Sequence, residues 1–577
     1  MARRKASPLT SLLRAMRGQW PALFVLSFLS NILLLTSSIY MLQVFDRVLS
    51  SGSVDTLLWL TVIALVAIAT YGVLEYARRM VLNRTGAWLE AELAPHVIRR
   101  AIAARLARGR SEADLNDVAD VRNFVAGDAI LAFFDAPWTP VFIAVIWLMH
   151  PLLGVIAIAG AVVLLAVALL NDAMTRKRTA AAGQRVRSAR RDAGQFIGNA
   201  ETLAALGMVG AVVQRWRAGH AAGETLGRAA GDMTVLLFNI SRGLRLGLQV
   251  AILGAAAWLV LQGEMTAGGM IAASIILSRA LSPVERAISA WRSYGSYRAA
   301  KGRLAQLFAA TRAPEERIEL PRPKGQISLH NVSLMAPATG NPILKGIGFQ
   351  LAAGQVCGVL GPSGSGKTSL CKLLVGAWAP SMGVIRLDGA DVADWDSERL
   401  GAYLGYLPQS VELFSGTVAE NIARLGAVDD QDVLRAAQAA GAHEMILSLP
   451  EGYETDIGQF ADQISGGQRQ RIGLARALYG DPAVIVLDEP NSNLDGMGEA
   501  ALLKALQGVK ERGATVIIVS HLPHLLRLTD HILVLKDGAM ARFGARDEIL
   551  QEMMQAGKKV QPVPPTGAPN VAMKAGE

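Results

Sequence analysis

Charge is scarce in this chain, and over long stretches it is missing. Asp, Glu, Lys and Arg make up 18% of the 577 residues, against 51% hydrophobic residues and a mean hydropathy of +0.32. That balance excludes a purely soluble protein, and the length excludes a single domain. No charged side chain occurs across residues 18–45, 56–74, 136–170 or 246–263, and a membrane-spanning helix needs about 20 such residues. The third run is long enough for two spans. His150-Pro151 supplies the turn between them, because proline cannot continue a helix and disfavours helix at the residue before it. A sixth span is expected from near Thr266, where Arg279 interrupts the apolar run after roughly 13 residues, short of the usual length.

Acidic residues are also missing before the first run, whereas Arg3, Arg4, Lys5, Arg14 and Arg17 precede it. The positive-inside rule then leaves the N-terminal segment in the cytoplasm, and six spans return the chain to that side. The long loops 75–128 and 171–232 carry Arg78, Arg79, Arg99, Arg100, Arg176, Lys177, Arg178, Arg190 and Arg191, as that topology requires. The first apolar run is longer than a signal-peptide core and lacks a small-residue cleavage site, so the first span is expected to stay. The net charge of +9 reflects topology and anionic inner-leaflet lipid. There is no nucleic-acid module and no internal repeat. Cysteine is nearly absent: Cys357 and Cys371 read as reduced, core-packing residues. Arg242, Arg245, Arg279, Glu285 and Arg286, at the inner end of the last spans, either line a polar cavity or lie at the cytoplasmic interface, since charge facing lipid is costly.

Chemistry is concentrated in the C-terminal part. Gly361-Pro362-Ser363-Gly364-Ser365-Gly366-Lys367-Thr368, followed by Ser369, fits the phosphate-binding loop. Its glycines let backbone N–H groups curl around phosphates, its lysine reaches the outer phosphates and the Thr368 hydroxyl ligates Mg²⁺. Alone, this motif also suits a nucleotide kinase or a GTPase. The apolar run 483–487 ending in Asp488-Glu489 reads as a buried parallel strand. Ligands sit at the C-terminal edge of such sheets, which places Asp488 to hold Mg²⁺ and Glu489 to polarise a water. A second strand, 515–519, ends at Ser520-His521 and delivers an imidazole to the same edge as a γ-phosphate sensor. Ser465-Gly466-Gly467-Gln468 opens a helix whose N–H groups and dipole favour an anion. One chain with one phosphate loop has no second phosphate for it, so this helix is expected to close over ATP held by another copy.

On these motifs the C-terminal part resembles the nucleotide-binding domain of ABC transporters, with Gln409 in Tyr406-Leu407-Pro408-Gln409 as the Q-loop and Asp495 in Ser492-Asn493-Leu494-Asp495 as the D-loop. The resemblance implies a six-span α-helical exporter transmembrane domain followed by an α/β P-loop ATPase domain. The expected divisions are a cytoplasmic segment 1–19, a membrane domain 20–310, a linker 311–325, an ATPase domain 326–556 and a disordered tail 557–577. The implied roles are phosphate binding by residues 361–369, chiefly Gly364, Gly366 and Lys367, and Mg²⁺ held by Thr368, Asp488 and Gln409. Glu489 is the base or water-positioner, Ser465, Gly466, Gly467 and Gln468 complete the partner's site, and Asp495 links the two sites.

Three membrane segments narrow the resemblance: residues 40–49 (Tyr40-Met41-Leu42-Gln43-Val44-Phe45-Asp46-Arg47-Val48-Leu49), residues 133–140 (Phe133-Phe134-Asp135-Ala136-Pro137-Trp138-Thr139-Pro140) and residues 278–285 (Ser278-Arg279-Ala280-Leu281-Ser282-Pro283-Val284-Glu285). They are similar to type I secretion ATPases, in the branch that exports proteases and other RTX-type proteins from Gram-negative bacteria. That branch implies a homodimer in the inner membrane and a secreted polypeptide with an uncleaved C-terminal signal. It also implies a periplasmic membrane-fusion adaptor and an outer-membrane channel. A lipid or drug exporter shares the architecture, and a signalling scaffold is the remaining class. The segment before the first span is too short for a peptidase or peptidase-like domain, so leader cleavage is not expected. Some positions depart from the pattern: Ala336 stands where relatives place an aromatic against adenine, Ile464 begins the signature and Gln459 replaces a frequent glutamate.

Overall fold

The structure is a computed structural model describing residues 8–107, 113–311, 320–336, 339–460 and 464–558. The chain divides into two compact units, with the main boundary between Arg312 and Ala313. Most of the expected linker, and the expected tail from 559 onward, lie outside the described residues.

The first unit is helical. Its principal helices are α1 (Pro8–Met16), α2 (Trp20–Leu33), α3 (Thr36–Gln43), α4 (Val54–Leu106), α5 (Leu115–Ala126), α6 (Asp128–Asp135), α7 (Thr139–Met149), α8 (Pro151–Ile197), α9 (Val209–Leu261) and α10 (Ala267–Ala310). Five helical stretches are long and apolar enough to cross a membrane, and the start of α10, Ala267–Pro283, is a shorter apolar stretch. Arg279 interrupts this apolar stretch without ending the helix, which runs on through Pro283. The 53 residues of α4 extend about 80 Å at 1.5 Å per residue, against a hydrocarbon core of about 30 Å. α4, α8 and α9 therefore continue far beyond the bilayer. Val62, Ile63, Leu65, Val66 and Ile68 on α4 are exposed, as a face solvated by lipid tails requires.

The turn expected at His150-Pro151 is built locally. His150 is extended (φ −164°, ψ 133°), and its Nδ1 accepts the Leu152 N–H at 3.2 Å, capping α8 with proline in its first turn.

Two of the three membrane segments hold acids that join distant helices, Asp46 partly buried and Asp135 buried. Asp46 accepts the Thr266 hydroxyl at 2.6 Å and the Gly268 N–H at 2.8 Å, capping the start of α10. A Cβ on Gly268 would stand 2.6 Å from both Asp46 Oδ1 and Leu42 O, so only glycine allows this approach. Asp135 accepts from Arg78 at 2.6 Å, Arg286 at 3.1 Å and Asn31 at 3.2 Å, while Arg78 also donates to Ser27 at 2.9 Å and pairs with Glu75 at 2.8 Å. Buried charge is tolerable here because every ion has a partner. Of the other cations, Arg242 and Arg279 are exposed in the single chain and Arg245 donates to Ser278 at 3.4 Å. The Glu285 side chain lies outside the described residues.

The second unit is a ten-stranded sheet with helices on both faces: β1 (Ile327–Met335), β2 (Pro342–Leu351), β3 (Val356–Leu360), α11 (Lys367–Leu374), β4 (Met382–Leu387), β5 (Ala390–Asp391), β6 (Leu404–Leu407), α12 (Val418–Ile422), α13 (Asp430–Ala439), α14 (Gly466–Leu478), β7 (Val484–Asp488), α15 (Gly496–Glu511), β8 (Thr515–Val519), β9 (His531–Lys536), β10 (Ala539–Ala545) and α16 (Arg546–Lys558). The order is β5-β4-β1-β2-β10-β9-β3-β8-β7-β6, and β9, β3, β8, β7 and β6 run parallel. All residues of β3, β7 and β8 are buried, the pattern of strands covered on both faces. Cys357 and Cys371 are free and buried in one of the two flanking cores. Burial pushes the Cys357 thiol up to about 12, which makes it unreactive.

Candidate ATP site and family membership

Strand register brings the candidate residues to one edge. Val359 of β3 pairs with Val519 of β8, Val519 pairs with Asp488 of β7, and Leu407 of β6 pairs with Leu487. Residues 361–369, His521, Asp488, Glu489 and Gln409 therefore all leave the C-terminal ends of adjacent parallel strands. That edge is the place for ligands in an open α/β sheet.

The loop after β3 is shaped by glycine. Gly361 (φ 154°), Gly364 (φ 81°) and Gly366 (φ 98°) have backbone that side chains rarely adopt, and a Cβ on Gly361 would lie 2.3 Å from Leu535 O. Lys367 is buried, and its Nζ donates to Gly361 O at 2.8 Å and Pro362 O at 3.1 Å. The ammonium thus lies folded along the loop.

Asp488 is buried, and its Oδ2 has no hydrogen-bond partner; the same holds for Ser365 Oγ. Burial raises the Asp488 carboxyl above the usual carboxylate range and adjacent Glu489 adds to this, while the Thr368 hydroxyl and two lysines act against it. A bound cation would reverse the balance. The donor set of Thr368 hydroxyl, Asp488 carboxylate and Gln409 amide is all oxygen, as Mg²⁺ prefers with phosphates completing its shell. Among the described residues no three of His, Cys, Asp and Glu cluster around a metal site, which leaves a cation dependent on such phosphates.

Glu489 has a left-handed backbone (φ 51°) and donates its N–H to Val519 O at 3.1 Å. A non-glycine residue there is strained, and such strain gathers at functional turns. Its Oε2 accepts from Gln409 Nε2 at 2.9 Å, so residues 80 positions apart already meet. His521 is exposed at the same edge.

The signature lies elsewhere. Ser465 caps α14 reciprocally: its Oγ accepts the Gln468 N–H at 3.3 Å, and Gln468 Oε1 accepts the Ser465 N–H at 2.8 Å. α14 packs on β6, with Gly473 so close that a Cβ would meet Val411 at 2.7 Å. β8, β7 and β6 separate that side from β3, about 14 Å at 4.8 Å per strand step. A Cβ on Gly467 would lie 2.9 Å from Asn493 O. Asp495 caps α15 through the Gly498 N–H at 2.8 Å and pairs with Arg471 at 2.8 Å; these bonds hold its carboxyl below the usual range. Arg471 was not legible as a site residue, because its partner is 24 positions away and no motif links them.

Comparison with known proteins decides the family. The family described as "ABC transporter transmembrane region" matches residues 20–282, and "ABC transporter" matches residues 344–492. The chain is 38% identical over 560 residues to the type I secretion system ATP-binding protein PrsD of Rhizobium meliloti (strain 1021), covering 96% of this chain and 95% of that one. It belongs to the type I secretion ABC transporters. The transporter is also 30% identical over 539 residues to the cyclolysin secretion/processing ATP-binding protein CyaB of Bordetella pertussis (strain Tohama I), covering 91% of this chain and 75% of that one. The leukotoxin translocation ATP-binding protein LktB of Mannheimia haemolytica is 28% identical over 541 residues, with the same coverage. A bacterial Atm1-family ABC exporter with ATP bound shares the fold, with a TM-score of 0.80 at 22% identity over 95% of this chain and 99% of that one. The transporter is thus a membrane protein whose ATP-binding domain is an ATPase coupled to transport.

Ala336, the residue expected to face adenine, carries a prediction. Ala336 donates its N–H to Asn341 O and accepts from Gly340, both at 2.8 Å, turning the chain between β1 and β2. Its methyl group offers no ring to adenine, which forfeits about 1–3 kcal/mol of stacking. The ATP-over-GTP preference in kcat/KM is expected to stay under about tenfold. A hundredfold preference in paired ATPase and GTPase assays would contradict this.

Proposed function

We propose that the transporter acts as a homodimer in the bacterial inner membrane, exporting polypeptides with C-terminal secretion signals. A periplasmic membrane-fusion adaptor and an outer-membrane channel are its partners. The observation that carries this reading is the 38% identity to a type I secretion protein along 96% of the chain, membrane part and ATPase part alike. In this reading the N-terminal segment, 1–19, precedes the membrane domain, 20–310, the ATPase domain, 326–556, follows it, and both flanking parts are cytoplasmic.

Gly364, Gly366 and Lys367 bind the phosphates of ATP, with Pro362, Ser363, Ser365 and Ser369 completing the loop. Thr368, Asp488 and Gln409 would hold Mg²⁺, which when bound neutralises charge developing on the transferred phosphate. Glu489 orients and polarises the attacking water, and His521 reads the γ-phosphate. The separation of Ser465 from the chain's own phosphate loop supports a site completed by the partner's Ser465, with Asp495 linking the two sites. Closure over two nucleotides supplies the differential binding free energy that shifts the membrane helices outward, and hydrolysis resets them.

The test is secretion of candidate C-terminal-signal proteins from cells carrying wild type or Glu489→Gln, with adaptor and channel supplied. Extracellular cargo with wild type only is the expected result. No secretion by either, with wild-type ATPase stimulated by lipids or drugs, would replace this reading by a small-molecule exporter.

A further inference from the structure

We propose that Arg476 is a positioning residue for ATP hydrolysis, binding the loop that carries Gln409 to the helix that begins at Ser465 so that the two move as one body. This rests on the reading of Gln409 as part of the ATP site.

The loop from Pro408 to Thr417 runs between β6 and α12 without helix or strand, so side chains must fix its place. Arg476, in the last turn of α14, does so with its whole guanidinium. Nη1 donates to Glu412 O, Nε to Asn421 O and Nη2 to Asn421 Oδ1, each at 3.0 Å, and the group lies 5.3 Å from the centre of the Phe414 ring. Asn421 is fully buried and extends the net: its Nδ2 donates to Phe414 O at 2.8 Å and Thr417 O at 3.0 Å, and its Oδ1 accepts the Phe414 N–H at 2.9 Å.

Arg424, with left-handed backbone (φ 60°), seals the other side by donating to Arg476 O at 3.1 Å and Tyr479 O at 3.0 Å. Both cations sit at the C-terminal end of α14, where the helix dipole is negative. Burial lowers both guanidinium pKa values, Arg476's further through Arg424, so the fold bears a cost to keep them. What Arg476 supplies is a planar fork of donors reaching Glu412 O and both oxygens of Asn421 at once, which a lysine cannot reproduce. Gln409 stands three residues before Glu412 and meets Glu489 at 2.9 Å. A displaced loop therefore withdraws the amide from the reacting edge.

The experiment measures kcat, KM for ATP and Tm on the purified full-length protein in lipid nanodiscs, for Arg476→Lys, Gln409→Ala and their combination. Rates are normalised to nucleotide-binding-competent protein. Arg476→Lys should lower kcat about tenfold, since misplacements near 1 Å cost up to ~10²-fold. KM should stay within about twofold, because the phosphate loop is on β3 and α11. In the Gln409→Ala background the same substitution should cost less than about twofold more. Phe414→Leu, an exposed position, removes only the ring and should lower kcat by about threefold, again only while Gln409 is present. Multiplying effects in either double variant, or a fall in Tm at unchanged kcat, would overturn the proposal alone. A Gln409→Ala protein with parental kcat would overturn both it and the Gln409 reading.

Discussion

Replacing Glu489 by Gln is expected to lower steady-state ATP turnover by about 10²–10³-fold while leaving ATP bound. The amide is isosteric, and the left-handed backbone at Glu489, held by its N–H to Val519 O, does not depend on the carboxylate. Fold and phosphate loop are therefore retained, and the proton acceptor for the attacking water is what is lost. The dimer closed over nucleotide should accumulate, because release depends on hydrolysis. ATPase rates, with gel filtration of protein carrying labelled nucleotide, check both halves. Parental turnover would remove Glu489 from its assigned role, and slow turnover without retained nucleotide would remove the closed dimer.

Lys367→Ala should fail earlier, at binding. The Lys367 Nζ rests against the loop carbonyls Gly361 O and Pro362 O, where a triphosphate oxygen can take its place alongside them. Losing a charge-assisted bond of about 1.5–3 kcal/mol weakens ATP binding by on the order of 10–10²-fold. Thermal shift with ATP is the direct readout. Wild type should gain stability as RT ln(1 + [L]/Kd), and the variant should gain almost none at the same concentration. The unliganded Tm should change little, since Gly361 and Pro362 are loop carbonyls at the surface of the site. An undiminished ATP-induced shift would contradict the assignment. The two variants separate binding from chemistry: one retains nucleotide without turning it over, and the other does not hold it.

Much of this was written locally. Uncharged runs announce membrane helices because lipid imposes a requirement on composition alone. The phosphate loop, Asp488-Glu489 and His521 each follow a strand whose apolar pattern shows its burial, so their common edge could be anticipated from chain order. Ser465 to Gln468 reads as the start of a helix whose N–H groups favour an anion. Such features depend on residues within one turn of chain, where covalent geometry already sets which groups meet.

The tertiary structure alone decided the rest. Asp135 meets Arg286 across 151 positions, Asp46 meets Gly268 across 222, and Arg476 reaches Asn421 across 55. Nothing in the flanking sequence marks these partners. A carboxylate or guanidinium taken out of water is satisfied by whatever oxygen or nitrogen the packing of helices brings to it, and that choice is made between elements. The sequence by itself determined the membrane spans, the nucleotide chemistry and the strands that carry it, because those rest on composition and short-range geometry. Which side chains brace the spans, and which arginines hold the signature helix to the Q-loop, was decided only when desolvated charge had to find its partners in the folded chain.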